Sequence, residues 1–181
     1  MADRENLPTK AVTRDVAAPT DHRGSLVARG LFALQKDKKR EVLWFHKVHE
    51  AAEQGDAKAQ EELGLMYLTG RGVEQDDVQA VYWYRKAAEQ GNASAQFTLG
   101  GMYDYGRGVT NDDVQAACWY RKAADQSDVL AQCELGCMYY GGRGVAKDDG
   151  QAVYWLRKAA EQGDTLAISV LEGLGIDWKN T

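Results

Sequence analysis

The chain has 181 residues, of which 44% are hydrophobic and 27% are charged, with 22 Lys and Arg against 27 Asp and Glu. This balance, a net charge of −5, leaves no excess of basic residues to neutralise phosphates, so nucleic acid is not an expected partner. No apolar run approaches the roughly 18 residues of a membrane-spanning helix, and the charged N-terminus does not resemble a secretory signal. We therefore expect a cytoplasmic protein without membrane insertion; secretion that needs no signal stays open.

The N-terminal segment, residues 1–19, predicts a mobile tail. It contains Pro8 and Pro19 and few apolar side chains. Burial would therefore not offset the entropy lost on ordering the backbone.

Residues 20–55 predict a degenerate capping repeat. When the frame is shifted by 36 positions, Val48 aligns with Tyr84, although the glycine loop of the later copies is missing. Solenoids need such end units because a terminal repeat faces water on one side. The helices predicted within this unit run from Ser25 to Gln35 and from Glu41 to Gln54.

Three copies of one pattern follow at a spacing of 36 residues, over 56–91, 92–127 and 128–163. Each copy contains Ala-x-x-x-Leu-Gly-x-Met-Tyr-x-x-Gly-Arg-Gly-Val and ends in a Trp-x-Arg-Lys-Ala-Ala segment. One unit is too small to bury its own apolar face, so the copies must stack into a solenoid.

The first helix of each copy has clear start and stop signals. In the first copy, Asp56 can cap a helix over about 57–69. Gly70 and Gly72 then supply the positive φ angles that end it, and equivalent residues recur in both later copies.

The second helix begins at an acidic pair, where Asp76-x-x-Gln79 has the form of a capping box. It closes near Gln90, before Gly91 in the left-handed position. In the second copy Ser127 replaces that glycine, and we expect a different local turn there.

The helical phase assigns one buried arc to each helix. We expect Trp83 and its counterparts Trp119 and Trp155 to lie in the core rather than in a ligand cage. Gly64 lies on the flank of its helix, where a missing side chain would admit the adjacent repeat.

Residues 164–181 predict a C-terminal capping helix and a tail. Ala167 and Leu171 keep the register of a further first helix, and the pattern is lost from Glu172. Trp178 either folds back over the last helix or stays exposed.

Taken together, the helix pairs, the glycine loop and the period closely resemble the Sel1-like repeat, a relative of the tetratricopeptide repeat, over about 56–170. The resemblance implies an all-α fold, an α/α superhelical solenoid of antiparallel helix pairs. It also implies an adaptor or scaffold for protein partners, often in bacterial signalling, envelope or host-interaction systems, and no catalytic centre.

A cysteine-rich branch of this family pairs cysteines between its helices, and a penicillin-binding or β-lactamase activity has been proposed for it. Here Cys118 and Cys137 are predicted on helix sides that point apart, so we expect no disulfide between them. No serine begins a Ser-x-x-Lys motif. A hydrolase is therefore only a second alternative, and we expect no enzymatic activity.

Metal and cofactor sites are not expected either. Cys133 and Cys137 could offer two thiolates, but no third or fourth ligand is evident. His46 and His49 do not follow the His-Glu-x-x-His order of zinc proteases. The acidic pairs and the loop arginines recur in every copy, so we expect them to cap helices and to bond loop carbonyls or neighbouring acids.

Positions that differ between copies are the informative ones for recognition. In such superhelices the first helices line a concave groove, and its variable positions form our predicted binding surface. We expect a peptide or partner helix to bind there; an immunity or inhibitor protein with one tight partner is the alternative. The predicted groove residues are Lys58, Glu61, Leu65, Leu68, Phe97, Gly101, Asp104, Leu130, Cys133, Cys137 and Tyr140.

Overall fold

A computed structural model describes the backbone of residues 22–179 and the side chains of residues 37–179. The predicted tail over 1–19 lies outside the described residues. The compact unit that contains the repeats begins at Asp37.

The described residues form eight helices and no strand, so the predicted all-α solenoid is confirmed. Consecutive helices pack in pairs. The helices are α1 (His22–Glu53), α2 (Ala57–Thr69), α3 (Asp77–Glu89), α4 (Ala93–Tyr105), α5 (Asp113–Asp125), α6 (Val129–Gly141), α7 (Asp149–Glu161) and α8 (Thr165–Gly173). No described helix combines the length and the apolar character needed to cross a membrane.

The two helices predicted within 20–55 are in fact a single helix, α1. Between Gln35 and Glu41 the chain has no Gly or Pro, and its Lys and Arg residues are good helix formers, so nothing ends the helix there. The C-terminal part of α1 takes the place of a second helix, because Val48 and Ala52 are buried in one cluster with residues of α2 and α3.

The glycine loop joins each repeat to the helix before it. Gly70 and Gly72 adopt φ angles of 71° and 74°, as the sequence predicts. A Cβ atom on Gly72 would lie 2.5 Å from the carbonyl oxygen of Glu41 in α1. A Cβ atom on Gly108 would likewise overlap the carbonyl oxygen of Asp77, and one on Gly144 would overlap that of Asp113. The second glycine is therefore required by close packing as well as by its backbone angle.

The helix caps follow the sequence in part. Asp56 accepts a hydrogen bond from the Ala59 backbone N–H at 2.8 Å. Asp76 likewise caps α3. The second hydrogen bond of a capping box, from the backbone N–H of Asp76 to the side chain of Gln79, is not formed, so this part of the prediction is wrong. The backbone N–H of Asp76 donates to the carbonyl oxygen of Tyr67 at 2.9 Å and is therefore not available to the side chain of Gln79.

The expectation of a different turn at Ser127 is also wrong. Ser127 adopts a φ of 69°, and its N–H donates to Ala124 as that of Gly91 donates to Ala88. The turn is therefore kept, and a residue with a Cβ atom occupies the left-handed region.

Aromatic side chains fill the interior, as predicted. Trp83, Trp119 and Trp155 are buried. Gly64, however, admits Tyr84 of its own repeat rather than the adjacent repeat, since a Cβ atom there would lie 3.0 Å from that ring. The missing side chain thus allows close approach within one helix pair.

A ladder of buried glutamines, which the sequence analysis did not identify, links the repeats. Gln96 donates to the carbonyl oxygen of Ala88 in the preceding repeat at 2.9 Å. Its own side-chain oxygen accepts from Gln126 at 2.8 Å. Gln60 and Gln132 make the equivalent bonds, so α2, α4 and α6 each donate a further hydrogen bond to a carbonyl at the end of the helix before it.

The C-terminal helix α8 completes the array. Ala167 and Leu171 are fully buried, which confirms their predicted register. Trp178 is half-buried and packs against the last core cluster, so it folds back over the array.

Candidate protein-binding surface

Two neighbouring pockets lie on the surface formed by α2, α4 and α6, here called the first-helix face. The first, the Leu65 pocket, has a volume of about 380 Å³. The second, the Gly101 pocket, has a volume of about 280 Å³. Thr98 lines both pockets, so they adjoin. Six of the predicted groove residues line these pockets. The Leu65 pocket is lined by Lys58, Glu61 and Leu65, and the Gly101 pocket is lined by Leu68, Phe97 and Gly101.

The predicted row of apolar side chains facing water is only partly present. Leu65, Leu130 and Tyr140 are exposed. Phe97 and Leu68 are half-buried because each packs against a core cluster. The ring centroid of Phe97 lies 5.7 Å from that of Tyr120. Phe97 therefore serves the core and a pocket wall at once.

The prediction that Cys133 faces the groove is wrong, since it is only 3% exposed. Its counterpart Glu61 accepts a hydrogen bond at 2.7 Å from Asn92, the N-cap residue of α4. Cys133 likewise interacts with Asp164, the N-cap residue of α8, but here the thiol donates and the carboxylate accepts. Glu61 and Cys133 thus both contact the next repeat, and Cys133 does not face solvent.

Asp104 is a second predicted groove residue with a different role. It is 8% exposed, and its Oδ1 accepts a hydrogen bond from Arg143 Nη1 at 2.8 Å. Asp104 is therefore part of the contact between two repeats. Arg107 makes the corresponding contact one repeat earlier, to Asp77 Oδ2 at 2.9 Å and to the carbonyl oxygen of Leu68 at 3.1 Å. For these two loop arginines the predicted structural role is confirmed.

The Gly101 pocket also contains residues outside the predicted groove set, among them Tyr105 and Glu134. Tyr105 is 79% exposed at the end of α4, and Glu134 is half-buried on α6. Both belong to positions that differ between copies, the same signal that identified the other groove residues. The predicted arc contains positions 58, 61, 65 and 68 of the first copy and their counterparts, and these two positions lie just outside it. In the other copies Tyr105 corresponds to Thr69 and Gly141, and Glu134 corresponds to Glu62 and Thr98.

Glu134 is a half-buried carboxylate on the wall of the Gly101 pocket. Among the described residues it has no hydrogen-bond or ion-pair partner. Burial and, to a smaller extent, the negative charges of Asp104 and Asp164 raise its pKa, while Arg143 opposes them. A half-buried charge without a partner lowers stability, so the contacts within the array do not explain the presence of Glu134.

Two of the three cysteines, Cys133 and Cys137, interact with each other on α6. All three are free, and Cys118 is exposed while Cys137 is half-buried. The hydrogen bond with the Cys137 thiol and burial raise the pKa of Cys133, which opposes formation of its thiolate, whereas the same hydrogen bond lowers the pKa of Cys137. Within the described part of the chain, no group of three or more His, Cys, Asp or Glu residues could hold a metal ion.

The Sel1 repeat profile matches the chain three times, at residues 57–92, 93–128 and 129–164. The chain belongs to the Sel1 repeat family. Proteins of this family are typically scaffolds for protein interactions and are mostly non-enzymatic.

Solved structures of other Sel1 repeat proteins are similar to this chain. A Sel1 repeat protein from Oxalobacter formigenes is 44% identical with a TM-score of 0.66, over 71% of this chain and 96% of that one. A protective antigen of uropathogenic Escherichia coli with an SLR fold is 42% identical with a TM-score of 0.67, over 71% of this chain. The match spans only 29% of that antigen. Cysteine rich protein B of Helicobacter pylori is 27% identical with a TM-score of 0.57, over 75% of this chain and 96% of that one. A search of curated proteins found no match.

Within this Sel1 array the residue set of the Gly101 pocket occurs once among the three copies. Gly101 is replaced by Leu65 and Cys137 in the other copies, and Phe97 by Glu61 and Cys133. The residues shared by all copies build the fold. Phe97 and Gly101 are specific to one place in the array, whereas Met102 and Arg107 of the same pocket recur in every copy.

Proposed function

We propose that this Sel1 repeat protein is a non-catalytic adaptor that binds an extended segment or a helix of a partner protein on its first-helix face. The observation that carries the proposal is the pair of adjoining pockets of about 380 and 280 Å³ on that face. Their walls include side chains that differ from copy to copy. The shared arginines and glutamines, by contrast, are used in contacts between repeats.

The apolar character of the face supports a protein segment as the ligand. Leu65, Leu130 and Tyr140 expose apolar surface, and Leu68 and Phe97 add pocket walls. Grooves of this kind bind amphipathic helices or extended segments by taking up a few anchor side chains.

The experiment uses peptides selected from a random phage-displayed library on the folded protein, with affinities measured by calorimetry. Gly101→Leu fills the Gly101 pocket, because a Cβ atom there meets only the Tyr120 hydroxyl, at 3.5 Å. We expect this variant to bind the selected peptides about tenfold more weakly or worse, with an unchanged circular dichroism spectrum.

Cys118→Leu is the matched control, because it adds the same side chain at an exposed site on α5. It should bind the peptides as the wild type does. Equal affinity of the wild type and Gly101→Leu for every selected peptide would contradict the proposal. Phe97→Glu is a poorer probe, since Phe97 also packs against the core.

A further inference from the structure

The Gly101 pocket combines aromatic walls with a carboxylate that has no partner among the described residues. From this combination we propose that the pocket receives a Lys or Arg side chain of the bound segment, with Glu134 as its counter-ion. The inference rests on the proposed function and specifies the chemistry of one anchor residue.

Glu134 carries the first step of the argument. It lines the pocket, is half-buried, and makes no hydrogen bond or ion pair with any described residue. Buried charges in proteins are normally paired, because desolvation of a lone carboxylate is unfavourable. A cationic group supplied from outside would provide the missing partner.

The charges around Glu134 favour a cation over an anion. Asp104 and Asp164 both act on Glu134 as negative charges. Arg143, the cation that acts on Glu134, already bonds Asp104 at 2.8 Å and lies 4.0 Å from Asp113. The local field therefore stays negative at the pocket.

Arg107 also lines the pocket, and its charge would repel a cationic ligand if it were free. Its Nε, however, bonds Asp77 Oδ2 at 2.9 Å, and its Nη2 donates to the carbonyl oxygen of Leu68 at 3.1 Å. The guanidinium is thus neutralised by its own ion pair and held at the pocket edge.

The aromatic walls fit the stem and the head of a long cationic side chain. Phe97, Tyr105 and Tyr120 all line the pocket. Aromatic faces attract cations, and they also pack against the methylene groups of Lys or Arg. At about 280 Å³ the cavity is at the small end for ligand pockets, which favours a single side chain over a cofactor.

Gly101 keeps this cavity open. A Cβ atom at Gly101 would meet only the Tyr120 hydroxyl oxygen at 3.5 Å, so no clash requires a glycine there. Glycine is unfavourable inside a helix, and its presence in α4 therefore has no structural explanation on this side. An open pocket on the first-helix face accounts for it.

The test compares matched peptides on matched variants. A peptide selected on the wild type is synthesised with its anchor Lys or Arg, and again with norleucine or citrulline at that position. Binding of both forms to the wild type and to Glu134→Gln is measured by calorimetry in a double-mutant cycle. We expect neutralising the anchor to weaken wild-type binding at least about tenfold, and to change binding to Glu134→Gln by less than about threefold.

A second readout separates recognition from a structural role. Glu134→Gln should unfold at the same temperature as the wild type or a higher one, because a half-buried charge without a partner is removed. A clear loss of thermal stability together with unchanged peptide affinity would show a structural role and overturn the inference.

The two proposals fail in different ways. Peptides that lose affinity on Gly101→Leu, but show no Lys or Arg preference and no dependence on Glu134, would overturn the inference and leave the proposed function standing. A selection that yields no peptide sensitive to Gly101→Leu would contradict both.

Discussion

Gly100 and Tyr120 are in direct contact across the helix pair α4 and α5, since a Cβ atom on Gly100 would lie 2.7 Å from Cδ1 of that ring. The next residue, Gly101, has no such restriction. Two adjacent glycines in one helix thus have different reasons to be there. The first allows the helices to approach, and the second leaves a cavity on the surface.

Alanine at these two positions should have opposite effects on stability. Gly100→Ala is expected to lower the free energy of unfolding by about 1–3 kcal/mol, because the new methyl group overlaps the Tyr120 ring. Gly101→Ala should raise it by about 0.5–1 kcal/mol through helix propensity. Urea unfolding followed by circular dichroism measures both values. A destabilised Gly101→Ala would contradict the assignment of that glycine to the pocket.

The glutamine ladder should be energetically important. Gln96→Leu removes two hydrogen bonds, the one to the carbonyl oxygen of Ala88 and the one that Gln126 donates to Gln96. The Ala88 carbonyl keeps its bond from the Gly91 N–H. Because a hydrogen bond contributes about 0.5–1.5 kcal/mol, we expect the loss of two to lower the free energy of unfolding by about 1–3 kcal/mol, as measured by urea unfolding. Gln115→Leu, at an exposed position of α5, should stay close to the wild type. Equal stability of both variants would show that the ladder contributes little.

Ser127 offers a route to a more stable protein. Its φ of 69° lies in the left-handed region, where a Cβ atom costs about 1–2 kcal/mol. Ser127→Gly should therefore raise the melting temperature, with about 1 kcal/mol of added stability after allowance for the greater entropy of the unfolded glycine. Gly91→Ser places the same strain in the first repeat and should lower the melting temperature. An unchanged Ser127→Gly protein would mean that the turn relaxes without strain.

The raised pKa of Glu134 predicts a pH dependence of stability. Its causes are burial first, then Asp104 on α4 and Asp164 before α8, with Arg143 acting against them. Between the unfolded value near 4.3 and the higher folded value, the folded state binds more protons, so this group's contribution to stability falls as the pH rises.

Glu134→Gln should remove that contribution. We expect the free energy of unfolding of Glu134→Gln to increase relative to that of the wild type as the pH rises from the unfolded pKa of Glu134 to its folded pKa. Urea unfolding at a series of pH values measures this difference. Glu89→Gln, which removes an exposed carboxylate from α3, is the matched control. A relative stability that stays constant with pH would contradict the raised pKa.

The repeat pattern predicts much of the fold because caps, loop glycines and buried arcs are local signals. The first and last residues of the predicted α2 agree with the structure, for example. The N-terminal unit was less predictable, since a degenerate copy has no glycine loop and α1 continues through it. The partner of Gly64 was assigned to the wrong repeat because sequence spacing does not show which helix faces a given flank.

The binding surface was less predictable than the fold. Variation between copies identifies Phe97 and Gly101, but it does not distinguish a solvent-facing position from one that contacts the next repeat. Cys133 and Asp104 are both of the second kind. Their burial depends on the N-cap and loop of the following unit, and helical phase within one repeat does not contain that information.

The most direct test of the central claim is an NMR titration of the ¹⁵N-labelled protein with the selected peptide of highest affinity. The account predicts that the perturbed amides cluster in α4 between Phe97 and Tyr105 and in α6 around Glu134. Perturbations confined to the exposed side of the second helices, around Tyr82 and Tyr154, would contradict it.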